Sequence, residues 1–248
     1  MSLYLDCNDG PSNYEVYQST ENYESLPSIK DLSLGDRCYC CRRYGVTKEH
    51  CSPKWMSDKY KVKPLIGKIL CTDCNGWFGQ NYESKAYKKL RIKNNFMTEE
   101  QRIFISKWCI KTALTMSLAS GVNINSEWLL MLKNNNFPND IEVYFDSRYS
   151  LHEQGFNYGV SRFNYELSQK STFLFTFICT DFAFVVVKPE NKDIYKIPFH
   201  KMYPEFLNGQ KDNTFSNLAD FHQNIHESIS RNKTDDYSLP IRNQSKRI

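Results

Sequence analysis

The sequence predicts an α+β protein: a small zinc-stabilised module, followed by helices and an antiparallel-sheet domain. Three observations carry that prediction. Two C-x2-C pairs, Cys38 with Cys41 and Cys71 with Cys74, bracket a basic stretch. A long segment beginning at residue 97 carries helix signals from its cap to its last turn. Beyond residue 140 the chain turns to short β-branched and aromatic runs set off by turn residues, the texture of antiparallel strands.

The first 35 residues hold one Lys against six Asp plus Glu, and four tyrosines with no sustained period. They are expected to form an acidic N-terminal arm of low order or short irregular structure. "MSLYLDCNDGPSNYE" lacks the apolar core of a signal peptide, and no run approaches the roughly 18 apolar residues of a membrane helix. "STFLFTFICTDFAFVVVKP" comes nearest, but Asp181 interrupts it and its composition reads as strands. The expectation is a cytoplasmic protein with no membrane partner.

Residues 36–95 are the expected metal-binding module. Nine cysteines, an odd number in paired spacings, read as a metal site rather than a disulfide framework. A C-x2-C knuckle turns both sulfurs towards one ion, and two knuckles complete a tetrahedron. Cys38, Cys41, Cys71 and Cys74 are therefore the expected ligands of a structural Zn²⁺, with Cys40 a competitor of poorer spacing. Four thiolates leave no open coordination position, so such an ion contributes folding energy rather than chemistry. Residues 36–93 hold 14 Lys plus Arg against 5 Asp plus Glu, a local charge of +9 in a chain of net +4. A basic island beside a rigid metal site points to a polyanionic partner, nucleic acid being the commonest.

Between Cys41 and Cys71 lie 29 residues, more than the roughly 15–20 of a simple zinc ribbon. The surplus is enough for a β-hairpin with a loop. Within it, "KEHCSPKW" places Glu49 and His50 next to one another near the first knuckle. Asn75 follows the last cysteine at the start of an expected helix running to about Arg91, with Trp77, Phe78, Tyr82, Ala86 and Leu90 on its buried side.

The order C-x2-C, then E-H with Pro three after the His, then C-x2-C-N, then Gly and a Glu nine after the last Cys, resembles the HNH endonucleases. It is most similar to bacterial and phage forms with the pattern C-x2-C…EH-x2-P-x-W…C-x2-C-N…G-x3-E. The resemblance covers residues 36–90. It implies a ββα-metal fold in which a hairpin and a helix hold one divalent ion, Mg²⁺ or Mn²⁺, near the structural zinc. It implies His50 as the general base, Glu49 and Asn75 as ligands of the catalytic ion, and Glu83 as a further ligand or a partner of the ligands. Two departures stand out: Glu49 occupies a position that is Asp in many members, and Asn75 replaces the final His of the family name. The implied activity is hydrolysis of phosphodiester bonds in double-stranded DNA, in restriction or antiphage defence, with RNA an open alternative. Lys48, Lys54, Lys59, Lys61, Lys63 and Lys68 would lie along the nucleic-acid backbone.

The residue types suit that chemistry on their own terms. A hard ion held by a carboxylate and an amide oxygen neutralises charge at the phosphoryl group. A neutral imidazole is free to take a proton from water. The same residues also fit a catalytically silent, zinc-dependent module that binds nucleic acid or protein, and Asn75 alone also reads as a helix N-cap.

Residues 96–248 form an expected α+β domain that the sequence assigns to no family. Recognition, homodimerisation or control by an activating partner or ligand are the roles open to them. "MTEEQRIFISKWCIKTALTMSLASG" is an expected helix, capped by Thr98 and carrying Ile103, Trp108, Ile110, Leu114 and Leu118. "SEWLLMLKNN" is a second. "IEVYFDSR", "GVSRFNYEL", "STFLFTFICT", "DFAFVVVKP" and "DIYKIPF" are expected strands, with Asp181 in a hairpin turn. "SNLADFHQNIHESISR" is an expected closing helix with Leu218, Phe221, Ile225 and Ile229 on one stripe. His222 and His226 on it lack a third ligand and read as an exposed face. The polar tail is expected to be loose. Cys109 and Cys179 read as core.

Overall fold

The computed structural model describes residues 12–16, 37–90, 97–120, 122, 124–125, 127–138, 140–147, 155–165, 170–188, 199–204 and 241–245. The chain forms two compact units, one spanning Leu26–Asn139 and the other combining Met1–Ser25 with Asp140–Ile248. The expected closing helix with His222 and His226, and most of "DIYKIPF", lie outside the described residues.

In the first unit β2 (Val46–His50) and β3 (Ile66–Cys71) pair antiparallel, with Lys48 opposite Lys68, Glu49 opposite Gly67 and His50 opposite Ile66. The connection between them carries α1 (Lys54–Tyr60), which ends at Lys61 in the left-handed conformation, φ 57°. β3 then runs directly into α2 (Thr72–Phe78), a π-helical turn (Gly79–Glu83) and α3 (Ser84–Lys89). The helix starts earlier than the sequence suggested. Cys71 is its N-cap residue and Asp73 stands in its first turn, where a carboxylate meets the positive end of the helix dipole. Asn75 is thus already inside the helix and does not cap it. Phe78, Tyr82, Ala86 and Leu90 are buried at the expected spacing, while Trp77 is only half-buried.

α4 (Glu99–Ala119) begins where expected, the Thr98 hydroxyl accepting from the Gln101 amide at 3.1 Å. Every residue from Ile105 to Ala119 is buried, so beyond its exposed first turn the helix has no solvent face. Its polar side chains are accommodated individually, save the buried Thr112 hydroxyl, which makes no hydrogen bond. The Ser117 hydroxyl donates to the Ala113 carbonyl at 2.6 Å, and Lys107 Nζ donates to the Asn135 carbonyl at 2.8 Å. The Thr115 hydroxyl donates to the Cys51 carbonyl at 3.1 Å, fixing the helix to the end of the hairpin. Gly67 marks the same close approach: a Cβ there would meet Cys51 Sγ at 2.9 Å and Ala119 Cβ at 3.3 Å. α5 (Glu127–Lys133) completes the unit, with Leu132 accepting from the Tyr82 hydroxyl at 3.2 Å. Both helices after residue 96 therefore share a unit with the cysteine pairs, and the chain passes between units at 25/26 and at 139/140.

The described residues of the second unit form strands β1 (Ser12–Val16), β4 (Glu142–Asp146), β5 (Gly155–Tyr165), β6 (Lys170–Cys179), β7 (Ala183–Lys188), β8 (His200–Tyr203) and β9 (Ile241–Ser245). Among those residues they make one seven-stranded antiparallel sheet ordered β1-β5-β6-β7-β4-β8, with β9 also on β5. Stacked rings run across it: Phe177 lies 5.4 Å from Phe156 and 4.9 Å from Phe184 between centroids. Asp181 is exposed in the β6–β7 turn, and Cys109 and Cys179 are buried as expected.

Two expectations are corrected here. Part of the N-terminal arm and part of the tail are strands, not irregular chain. β1 pairs with Ser161–Tyr165 and β9 with Gly155–Gly159, so the two short strands share one edge of β5 end to end. An open ladder edge offers backbone donors and acceptors to any extended segment, which is why neither strand shows as a strong apolar pattern. Among the described residues no helix is long and apolar enough to cross a membrane.

Candidate active site

The sulfurs of Cys38, Cys41, Cys71 and Cys74 all lie within 4.8 Å of one another, a cluster that can hold one metal ion. Cys41 and Cys71 are 3.6 Å apart; sulfurs at ~2.3 Å from a tetrahedral zinc would be ~3.8 Å apart, so the spacing suits that ion. The first knuckle closes with the Cys38 amide donating to Arg43 and the Arg42 amide donating to Cys38, at 2.8 and 2.9 Å. Arg42 and Gly45 there adopt φ of 65° and 92°. Four thiolates around a divalent ion leave two negative charges, and two cations stand by. Lys133 Nζ donates to Cys74 Sγ at 3.3 Å, and Arg43 donates to Cys41 while bridging Asp73 at 3.2 Å. Partial burial alone would raise the Cys41 thiol, but hydrogen bonds from Arg43, Cys71 and Cys74 hold it at about 6. Cys40 is fully packed in the core beside the cluster and outside its ligand set.

β2 then divides the predicted reactive residues between its two faces, as strand alternation requires. Glu49 points inward and is 3% exposed. Its Oε1 accepts from the Leu70 amide at 2.8 Å, and its Oε2 is buried without a hydrogen-bond partner. His50 points outward and is exposed, on the same face as Lys48 and its cross-strand neighbour Lys68. Asn75 is half-buried on α2. Glu83 closes the π-helical turn and faces α4. Its Oε1 meets Lys111 Nζ at 2.8 Å and its Oε2 takes Trp108 Nε1 at 3.5 Å. No family model, curated protein or solved structure matches this chain.

The structure thus pairs Glu83 directly with Lys111, sets the buried Glu49 within their electrostatic reach, and leaves His50 exposed on the other face of β2. Burial pushes the Glu49 carboxyl up to about 7, against the lowering influence of Lys111 and the Leu70 and Ile69 amides. Burial would lower the Lys111 ammonium, but Glu83 and Glu49 hold it above its ordinary range. Lys111 was not among the residues singled out from sequence, and Trp108 was read only as an apolar position of the helix. The signal was there in "SKWCIKTAL", where a lysine in the middle of an apolar helix needs a buried counter-charge.

The raised Glu49 carboxyl has a measurable consequence. Its folded value, about 7, exceeds the ordinary 4.5, so the folded state binds this proton more tightly than the unfolded one. Glu49 then favours folding most below about pH 4.5, and that contribution is lost as pH rises through 7. In denaturant titrations without added divalent ions, wild type should lose about 3 kcal/mol relative to Glu49→Gln between pH 5 and 8. Parallel pH profiles for the two proteins would show that Glu49 is ionised throughout.

The six lysines expected on the nucleic-acid path, Lys48, Lys54, Lys59, Lys61, Lys63 and Lys68, are all exposed. Lys48 and Lys68 stand directly opposite one another. Like charges in that position destabilise a hairpin unless a polyanion neutralises them.

Proposed function

We propose that the chain is a metal-dependent endonuclease of the HNH type, hydrolysing phosphodiester bonds in double-stranded DNA. One observation carries the reading. The hairpin joined to the four-cysteine cluster presents His50 on an outer face flanked by Lys48 and Lys68, while Glu49, with one uncommitted carboxylate oxygen, lies beneath it. The lysines attract the phosphate backbone through charge alone, and His50 serves as general base towards a water at the phosphodiester. The cysteine cluster holds Zn²⁺ in a structural role, tying the knuckle to the start of α2.

The donors suit a catalytic Mg²⁺ or Mn²⁺ in part. The free Glu49 oxygen and the Asn75 amide oxygen are hard ligands of the right kind, and Glu83 is a third such group that Lys111 and Trp108 occupy. When bound, such an ion supplies neutralisation of the charge developing on the phosphoryl oxygens. Restriction or antiphage defence is the setting this activity suits.

A second reading has a specific observation behind it. Glu49 is buried on the face opposite His50 and already has a cation near it, which favours a zinc-dependent module that binds nucleic acid without cutting it. A plasmid-nicking assay on zinc-loaded protein separates the two. Nicked and linear products with Mg²⁺ or Mn²⁺, and none without either, are expected. Tight, salt-sensitive DNA binding with intact plasmid under every ion would favour the silent module. Cleavage confined to an RNA substrate would move the same site to an RNase.

A further inference from the structure

We propose that Lys111 is a built-in counter-ion that competes with the divalent ion for the Glu49 and Glu83 carboxylates. Removing its charge would turn this buried group into a tighter divalent-cation site. The inference deepens the nuclease reading and rests on it for the choice of ion.

Lys111 comes from α4, outside residues 36–90 that carry the resemblance. Its ammonium is 2.8 Å from Glu83 Oε1, and its side chain is 3% exposed against 21% for Glu83. It also acts electrostatically on Glu49. A buried carboxyl, Glu49, and a partly exposed one, Glu83, are therefore served by a single monovalent cation, and Glu49 Oε2 is left with no hydrogen-bond partner. The uncommitted, buried oxygen describes a place for more positive charge than Lys111 provides. Carboxylate oxygens are what Mg²⁺ and Mn²⁺ prefer. An ammonium fixed beside them repels any second cation, at an effective dielectric far below that of water.

Lys111 has a second effect while no ion is bound. It keeps two like charges from facing each other unscreened, a situation a buried pair tolerates poorly. Docking of α4 on the hairpin does not depend on it alone. Thr115 bonds the Cys51 carbonyl at 3.1 Å, and α4 approaches Gly67 so closely that a Cβ there would lie 3.3 Å from Ala119 Cβ. A variant lacking the charge can therefore keep the helix in place, provided a cation satisfies the carboxylates.

The test compares zinc-loaded wild type, Lys111→Met and Lys111→Arg by Mn²⁺ titration, followed by electron paramagnetic resonance of the free ion and by thermal melting. Methionine keeps an apolar stem and removes the charge; arginine keeps the charge. Lys111→Met should bind Mn²⁺ at least tenfold more tightly than wild type and gain more melting temperature from it, with Lys111→Arg close to wild type. Adding Glu49→Gln to Lys111→Met should abolish the gain, locating the ion. Equal Mn²⁺ affinity in wild type and Lys111→Met overturns the proposal. So does a Lys111→Met chain that stays unfolded in millimolar Mn²⁺, because the ion then fails to take the place of the lysine. Plasmid nicking by wild type is scored separately. Tighter Mn²⁺ binding by Lys111→Met with no nicking by wild type supports the competition and removes the nuclease. Nicking with no change in Mn²⁺ affinity does the reverse.

Discussion

Cys74→Ser should cost the Leu26–Asn139 unit its metal and its cooperative unfolding transition. The described part of the first knuckle, residues 37–45, has little regular structure of its own: one isolated bridge between Arg37 and Tyr44 and two short turn bonds at Cys38. Beyond one backbone bond, the Tyr39 amide donating to the Ile69 carbonyl at 3.0 Å, and the exposed Arg43–Asp73 pair, what joins it to β3 and α2 is the cluster formed with Cys71 and Cys74. Structural zinc in small modules contributes about 10–16 kcal/mol of apparent binding free energy, comparable with or larger than the 5–15 kcal/mol that keeps a typical domain folded. Loss of one thiolate therefore removes more than the unit can spare. Zinc content near one ion per wild-type chain, and far below one for Cys74→Ser, is the expected result, with melting followed by circular dichroism. Cys40→Ser is the control. Cys40 is buried but stands outside the four-sulfur cluster, so this variant should keep its zinc and lose only packing. If Cys40→Ser loses the ion and Cys74→Ser keeps it, the ligand set is wrong.

The two C-x2-C pairs were legible because a knuckle is local: its geometry is written in a spacing of three residues. The cap of α4 was legible for the same reason, Thr98 and the acidic first turn being neighbours in sequence. What sequence could not place was anything decided by a distant partner. α4 carries polar residues at 106, 107, 111, 112, 115 and 117, yet all are buried: Lys107, Lys111 and Thr115 find their partners on other elements, Ser106 and Ser117 bond carbonyls of their own helix, and the Thr112 hydroxyl is left without a hydrogen bond. Glu83 was assigned from its distance to Cys74, but its side chain is governed by Lys111, 28 residues further on. β1 and β9 were missed because edge pairing is driven by backbone groups that every residue carries. The helix onset shifted from Asn75 to Thr72 because the chain leaves β3 directly into the helix, with Cys71 alone between them.

His50→Ala gives the sharpest test of the chemistry, because its effects on stability, binding and rate should separate. His50 is the last residue of β2, exposed and opposite Ile66. Removing an exposed imidazole opens no cavity, so melting should shift by no more than about 0.5 kcal/mol. Lys48 and Lys68 remain on the same face, and DNA affinity with its salt dependence should hold within a few-fold. Cleavage should fall by about 10²–10⁴-fold, the usual contribution of a positioned general base, equivalent to about 3–5 kcal/mol of barrier. Lys48→Ala supplies the opposite pattern, with weaker binding and a shallower salt slope but cleavage of bound DNA largely retained. The inner face of the strand follows a different rule. A loss at Glu49 should alter stability and ion binding together, because that side chain is buried and electrostatically coupled to Lys111. A rate that survives His50→Ala would mean that the proton is taken by another group, and the outer face of the hairpin would then be a binding surface only.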